Sequence, residues 1–175
     1  MVYSTNLLGC TAVLQYPFTS TIAHYGPESR GSVTTSEVVI SNLKSSTSKL
    51  NNQIDYPCVE SPDIFIAMHQ KGYDYHITNH KTDISNLKYL IYDSTLVSIR
   101  ETTVSHINLI AVPASQLAKE KLKNIMMANI ILTAALVKAT GIITRRNLER
   151  ALKEMVSTKD YQLNLQAIEI GYLGK

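Results

Sequence analysis

Side chains able to do chemistry are densest in the segment Tyr25-Gly26-Pro27-Glu28-Ser29-Arg30-Gly31. Glu28 offers a carboxylate, and Arg30 a planar fork of donors that suits a carboxylate or a phosphate. Gly26-Pro27 and Gly31 fix the backbone path around them. Loops with such rigid punctuation are common mounts for binding groups. On residue chemistry alone the alternative is a surface turn with a local Glu28–Arg30 ion pair, which contributes little.

The other chemically capable residues are scattered. The histidines are His24, His69, His76, His80 and His106. His76 and His80 stand at i, i+4, a spacing that can ligate a metal on one helix face. However, Asn79-His80-Lys81-Thr82-Asp83 reads as a turn, so no metal site is expected there. The two cysteines, Cys10 and Cys58, are too few for an iron–sulfur cluster with its four thiolates, and they lack metal-ligand spacing. Cys10 falls on an apolar helical stripe and is expected in the core. Cys58, after Tyr56-Pro57, is at best a candidate reactive thiol. The chain carries no Gly-x-Ser-x-Gly elbow, no phosphate-binding Walker loop and no thiamine-diphosphate signature, so no catalytic residue is assigned.

Composition narrows the classes further. The 175 residues are 45% hydrophobic, enough for one domain over 1–175 with a real core. Net charge is +3 from 17 basic and 14 acidic residues. The densest basic group, 119–123, alternates Lys with Glu120 and Leu122, which is the pattern of a solvated helix face and argues against nucleic-acid binding. The most apolar stretch, 125–137, is interrupted by Asn129 and Thr133 and closed by Lys138. It falls short of the roughly 20 residues that span a bilayer and is expected as a helix buried in protein. No basic n-region precedes the N-terminal apolar residues, and a reducing cytoplasm is the expected compartment.

The elements that must position the loop follow from periodicity. Tyr3, Leu7, Cys10 and Leu14 recur at helical spacing within 2–15. Residues 18–23 and 33–40 read as strands flanking the loop. Residues 42–53 are polar loop, and 54–60 are a short extended piece. Apolar runs at 64–68 and 107–112 suit strands buried on both faces, and 89–92 is a third. Residues 69–77 read as a short helix, and 95–104 as a helix or an edge strand. After Ser115 the pattern is helical. Gly141 ends one helix and Thr144 caps the next, with Leu148, Ala151, Leu152 and Met155 as its apolar stripe. Tyr161, Leu165, Ile168 and Tyr172 mark the last helix. Alternating strands and helices predict an α/β fold: three layers, α/β/α, with a mostly parallel sheet and a helical C-terminal third.

The loop also resembles the signature of the gamma subunit of 2-oxoacid:ferredoxin oxidoreductases, nearest to the 2-oxoglutarate type. Further pieces resemble that family in chain order. They are Ser61-Pro62-Asp63-Ile64-Phe65-Ile66, Lys88-Tyr89-Leu90-Ile91-Tyr92-Asp93, Ile110-Ala111-Val112-Pro113-Ala114, Ala128-Asn129-Ile130-Ile131-Leu132, and Asn164-Leu165-Gln166-Ala167-Ile168-Glu169-Ile170-Gly171-Tyr172. The resemblance implies a non-catalytic subunit of a complex that oxidatively decarboxylates a 2-oxoacid to an acyl-coenzyme A. Thiamine diphosphate, Mg and iron–sulfur clusters would sit on partner chains, and electrons would pass to ferredoxin. Implied partners are alpha and beta subunits, with a ferredoxin-like delta subunit as an option. Tyr25, Gly26, Pro27, Glu28, Arg30 and Gly31 would lie at the interface with the thiamine-bearing subunits, near the active centre. Ser32 departs from the family's second glycine. Asn129 and Asn164 are expected as buried amides satisfying nearby backbone. The alternatives are an interaction module of the same fold, a different 2-oxoacid such as pyruvate, and a free-standing Rossmann-like binding domain.

The family opens with a strand and a Gly-rich turn that forms an anion site at a helix N-terminus. Met1 falls just past that turn, so either the chain has lost it or its start lies at an internal Met, the preferred reading. Without that strand a sheet edge is expected to be unpaired and the isolated chain to be of low stability or prone to aggregate. Without those glycines, the Rossmann-like alternative is weakened.

Overall fold

The computed structural model describes residues 2–24, 33–41, 58–99 and 107–174. Helix α1 (Val2–Val13) leads into strands β1 (Phe18–His24) and β2 (Thr35–Ser41), then β3 (Ile64–Ala67). Helix α2 (Gln70–Tyr73) runs on as a π-helical turn over Asp74–Thr78, before β4 (Tyr89–Asp93) and β5 (Asn108–Val112). Helices α3 (Ala114–Leu122), α4 (Ala128–Thr140), α5 (Arg145–Met155) and α6 (Thr158–Leu173) complete the order.

Among the described residues the parallel sheet has three strands in the order β3-β4-β5. Its central strand shows how the layers arise. Successive side chains on a strand point to opposite faces. Leu90 therefore joins Tyr73, Ile77, Leu87, Val97 and Ile107 on one side. Ile91 joins the main core on the other, among Ile130, Ile131, Leu152 and Ile168. The parallel sheet thus lies between α2 with its π turn and the α3–α4–α6 helices, as the α/β/α reading expects. The other two strands depart from it. β1 and β2 form a separate antiparallel hairpin, with Phe18 opposite Ser41 and His24 opposite Thr35.

Helix ends follow local chemistry. Gly141, at φ 63°, closes α4, and the Thr144 hydroxyl accepts the Asn147 N–H at 3.3 Å to open α5. Ser157 caps α6: its hydroxyl accepts the Asp160 N–H at 3.3 Å and donates to Asp160 Oδ2 at 2.7 Å. Buried Asp93 ends β4 and accepts the N–H of Ser115 at 2.9 Å and of Thr95 at 3.0 Å. One carboxylate thereby ties the strand end to the first turn of α3, where free N–H groups and the helix dipole favour negative charge.

Several expectations need correction. Cys10 is exposed, not a core residue. Helix α1 packs on β1, β2 and α5 through Thr5, Leu7, Leu8, Gly9 and Thr11. Small and hydroxylated residues make that approach, which leaves Asn6, Cys10 and Val13 facing outward. β3 and β5 are not buried on both faces; among the described residues they are the outer strands of the sheet, with neither face fully covered. Ile64, Phe65 and Ile66 are only half-buried, and Asn108, Leu109 and Ala111 are exposed. The buried helix expected from 125 begins at Ala128, because Ile125 and Met126 form an exposed 3-10 turn capped by Asn124. Residues 95–99 form a turn and irregular backbone, neither helix nor strand, and 58–60 contain no strand.

Candidate functional site

The loop residues Tyr25, Gly26, Pro27, Glu28, Arg30 and Gly31 lie outside the described residues, as do 42–57, 100–106 and Ser32. The two strands that flank the loop are described, and they pair with each other as an antiparallel hairpin.

Beside that hairpin lies a cavity of about 850 Å³. β2 borders it on one side and β3 on the other, and no ladder joins them among the described residues. Leu132, Thr133, Leu136 and Asn129 of α4 contribute to its wall, so the space opens directly onto the main core.

Polar groups converge at the hairpin end of this cavity. Within the hairpin, His24 stands opposite Thr35 and Ile22 opposite Glu37. Directly opposed residues share a face, and so do residues two apart, which places His24 and Glu37 on one face as diagonal neighbours. Their side chains meet, with Nε2 of His24 3.5 Å from a Glu37 oxygen. The other Glu37 oxygen accepts the backbone N–H of Val59 at 2.8 Å, which brings Cys58 alongside. The ligand atoms of His24, Glu37 and Cys58 lie within 4.8 Å of one another.

His76 lies on the same wall. Its Nε2 pairs with the Thr35 hydroxyl at 2.8 Å and its Nδ1 with the Thr82 hydroxyl at 2.9 Å. Burial pushes its pKa below the ordinary histidine value, while the nearby Glu37 carboxylate pulls the other way. His80 is exposed, at φ 52°, so the i, i+4 spacing does not build a site. The fold breaks it: the π-helical turn ends at Thr78.

Asn164 behaves as expected, buried, with its amide donating to the Asp160 carbonyl at 2.9 Å. Asn129 is half-buried, with its oxygen accepting the Ile130 N–H at 2.7 Å. Lys119, Glu120 and Lys121 are exposed on α3, as the charge pattern required. Among the described residues no helix is long and apolar enough to cross a membrane.

Sequence reasoning missed the approach of Cys58 to His24 and Glu37, because the three are distant in sequence. The only signal was indirect: His24 and Glu37 lie near the loop-side ends of the two strands that flank one loop. The role of Asp93 was equally hidden, since nothing in the sequence aims it at Ser115.

The architecture is that of a known class. It superimposes on the gamma subunit of a keto/oxoacid ferredoxin oxidoreductase from Geobacter sulfurreducens with a TM-score of 0.76. Identity there is 21%, covering 99% of this chain and 90% of that one. It also matches part of a 2-oxoglutarate:ferredoxin oxidoreductase from Magnetococcus marinus, solved with 2-oxoglutarate, coenzyme A and succinyl-CoA. That match has a TM-score of 0.74 and 20% identity, covering 99% of this chain but 28% of that one. Sequence goes further than fold. The pyruvate ferredoxin/flavodoxin oxidoreductase family matches residues 2–173, and the chain belongs to it. It is 32% identical over 148 residues to 2-oxoglutarate synthase subunit KorC of Methanocaldococcus jannaschii, covering 85% of this chain and 72% of that relative.

Proposed function

We propose that this chain is the gamma-type subunit of a 2-oxoacid:ferredoxin oxidoreductase that converts 2-oxoglutarate to its acyl-coenzyme A and passes electrons to ferredoxin. The observation that carries this reading is the 32% identity to KorC, sustained over 148 residues. In this reading residues 1–175 are one gamma-type domain working in the cytoplasm beside alpha and beta subunits.

Chemistry divides between the chains. With two cysteines in the whole sequence, a four-thiolate iron–sulfur cluster does not fit here and belongs to partners. Thiamine diphosphate, also held by partners, supplies the electron sink for decarboxylation. This chain's share is positional. Arg30, two residues after Glu28 and next to Gly31, would meet a carboxylate or phosphate at the subunit interface, where a planar fork of donors binds two oxygens at once.

The test is to co-express the chain with the alpha and beta subunits of its own organism, isolate the complex, and follow 2-oxoacid-dependent dye reduction. Turnover is expected with 2-oxoglutarate and coenzyme A, at least tenfold faster than with pyruvate or a branched 2-oxoacid. The isolated chain should be inert. Arg30→Ala should weaken assembly or turnover at least tenfold. A complex that forms and prefers pyruvate would overturn the substrate, and an isolated chain that turns over a 2-oxoacid would overturn the subunit role.

A further inference from the structure

The geometry points to a divalent-metal site formed by His24, Glu37 and Cys58, of the zinc class, at the mouth of the hairpin that carries the 25–31 loop. Their ligand atoms are an imidazole nitrogen, a carboxylate oxygen and a sulfur, all within 4.8 Å of one another. This N/O/S set is what zinc prefers, whereas magnesium and calcium take oxygen ligands. Tetrahedral zinc, with bonds of roughly 2.0–2.3 Å, sets its ligand atoms about 3.5 Å apart. The His24–Glu37 pair already stands at 3.5 Å, and the Cys58 sulfur lies within 4.8 Å of both.

The second observation is orientation. Glu37 does not dangle, because one oxygen is held by the Val59 N–H at 2.8 Å, which turns the other toward His24. Support of this kind from behind a ligand is characteristic of metal centres. The same hydrogen bond anchors the residue next to Cys58. The side chain of His24 is 46% exposed, so a metal can enter from solvent and the fourth position stays open to water or a partner's group. On binding, the Cys58 thiol releases its proton to solvent as the metal–sulfur bond forms. Bridging Cys58 to His24 would clamp the chain before β3 onto the strand end that precedes Tyr25. The inference stands independently of the oxidoreductase reading.

The experiment uses the full, tag-free chain, stripped with a chelator and titrated with Co²⁺ and then Zn²⁺. Binding of one equivalent is expected, with the visible bands of tetrahedral cobalt and a thiolate-to-cobalt charge-transfer band that zinc abolishes. Cys58→Ser should eliminate the charge-transfer band, and Cys10→Ser should leave it intact. His24→Ala and Glu37→Gln should each weaken affinity at least tenfold, with far-ultraviolet circular dichroism confirming that each variant is folded. A measurement on the unaltered chain needs no variant: one equivalent of zinc should slow alkylation of Cys58 at least tenfold and leave Cys10 unaffected. No charge-transfer band, a band that survives Cys58→Ser, or alkylation of Cys58 that zinc does not slow would each overturn the site and leave His24 and Glu37 as neighbouring side chains with no metal between them.

Discussion

At the scale of single residues, His76 carries the sharpest consequence. Both ring nitrogens are engaged, by Thr35 and by Thr82, and burial holds its pKa down against the pull of Glu37. In the unfolded chain the same ring titrates near its ordinary value of about 6.5. Below that pH the unfolded state binds the proton more readily than the native state, so stability falls as pH falls through that region. A thermal midpoint that drops between about pH 7 and pH 5 is expected, with a shallower drop in His76→Gln. Parallel curves for the two proteins would show that His76 does not control acid sensitivity. His76 was legible in the sequence only as half of a metal-like pair. Its partners on β2 and in the turn after the π helix come from segments that periodicity alone cannot bring together.

At the scale of elements, α6 crosses α4 in close backbone contact at Gly171. A Cβ on Gly171 would stand 2.3 Å from the Ile131 carbonyl oxygen and 2.7 Å from the Ala134 Cβ. The obstacle is backbone, so the helices would have to separate. Gly171→Ala is expected to cost about 2 kcal/mol through overpacking, read as a lower thermal midpoint. Gly72→Ala, where nothing lies within 4 Å, should leave the midpoint nearly unmoved. An unaltered midpoint in Gly171→Ala would show that α6 can slide without loss. The elements themselves were largely legible. The Gly141 stop, the Thr144 cap and the Leu148–Leu152 stripe are local signals, settled within a turn or two of helix. Cys10 misled because an apolar stripe does not say which sides of a helix are covered, and α1 is covered on the sides bearing Thr5, Gly9 and Thr11.

At the scale of the whole molecule, the outer strands of the parallel sheet, which pair on one side only among the described residues, dominate. β3 borders the cavity, while Leu109 on β5 is 44% exposed beside exposed Asn108 and Ala111. Open strand edges with apolar side chains invite pairing with another chain. The isolated chain should therefore self-associate as its concentration rises, and Leu109→Lys should reduce this at least severalfold by light scattering. A wild-type chain that stays monomeric would show the β5 edge to be harmless. The amino-acid sequence by itself determined the kind of fold and the family, because helix stripes, caps and apolar strands are short-range, and the family's motifs appear in chain order. Only the tertiary structure decided that β1 and β2 form a ladder of their own, that β3 and β5 are the outer strands of the described sheet, and that His24, Glu37 and Cys58 converge. Those outcomes depend on which segments pack beside which, and packing between distant segments leaves no periodic trace in a single chain.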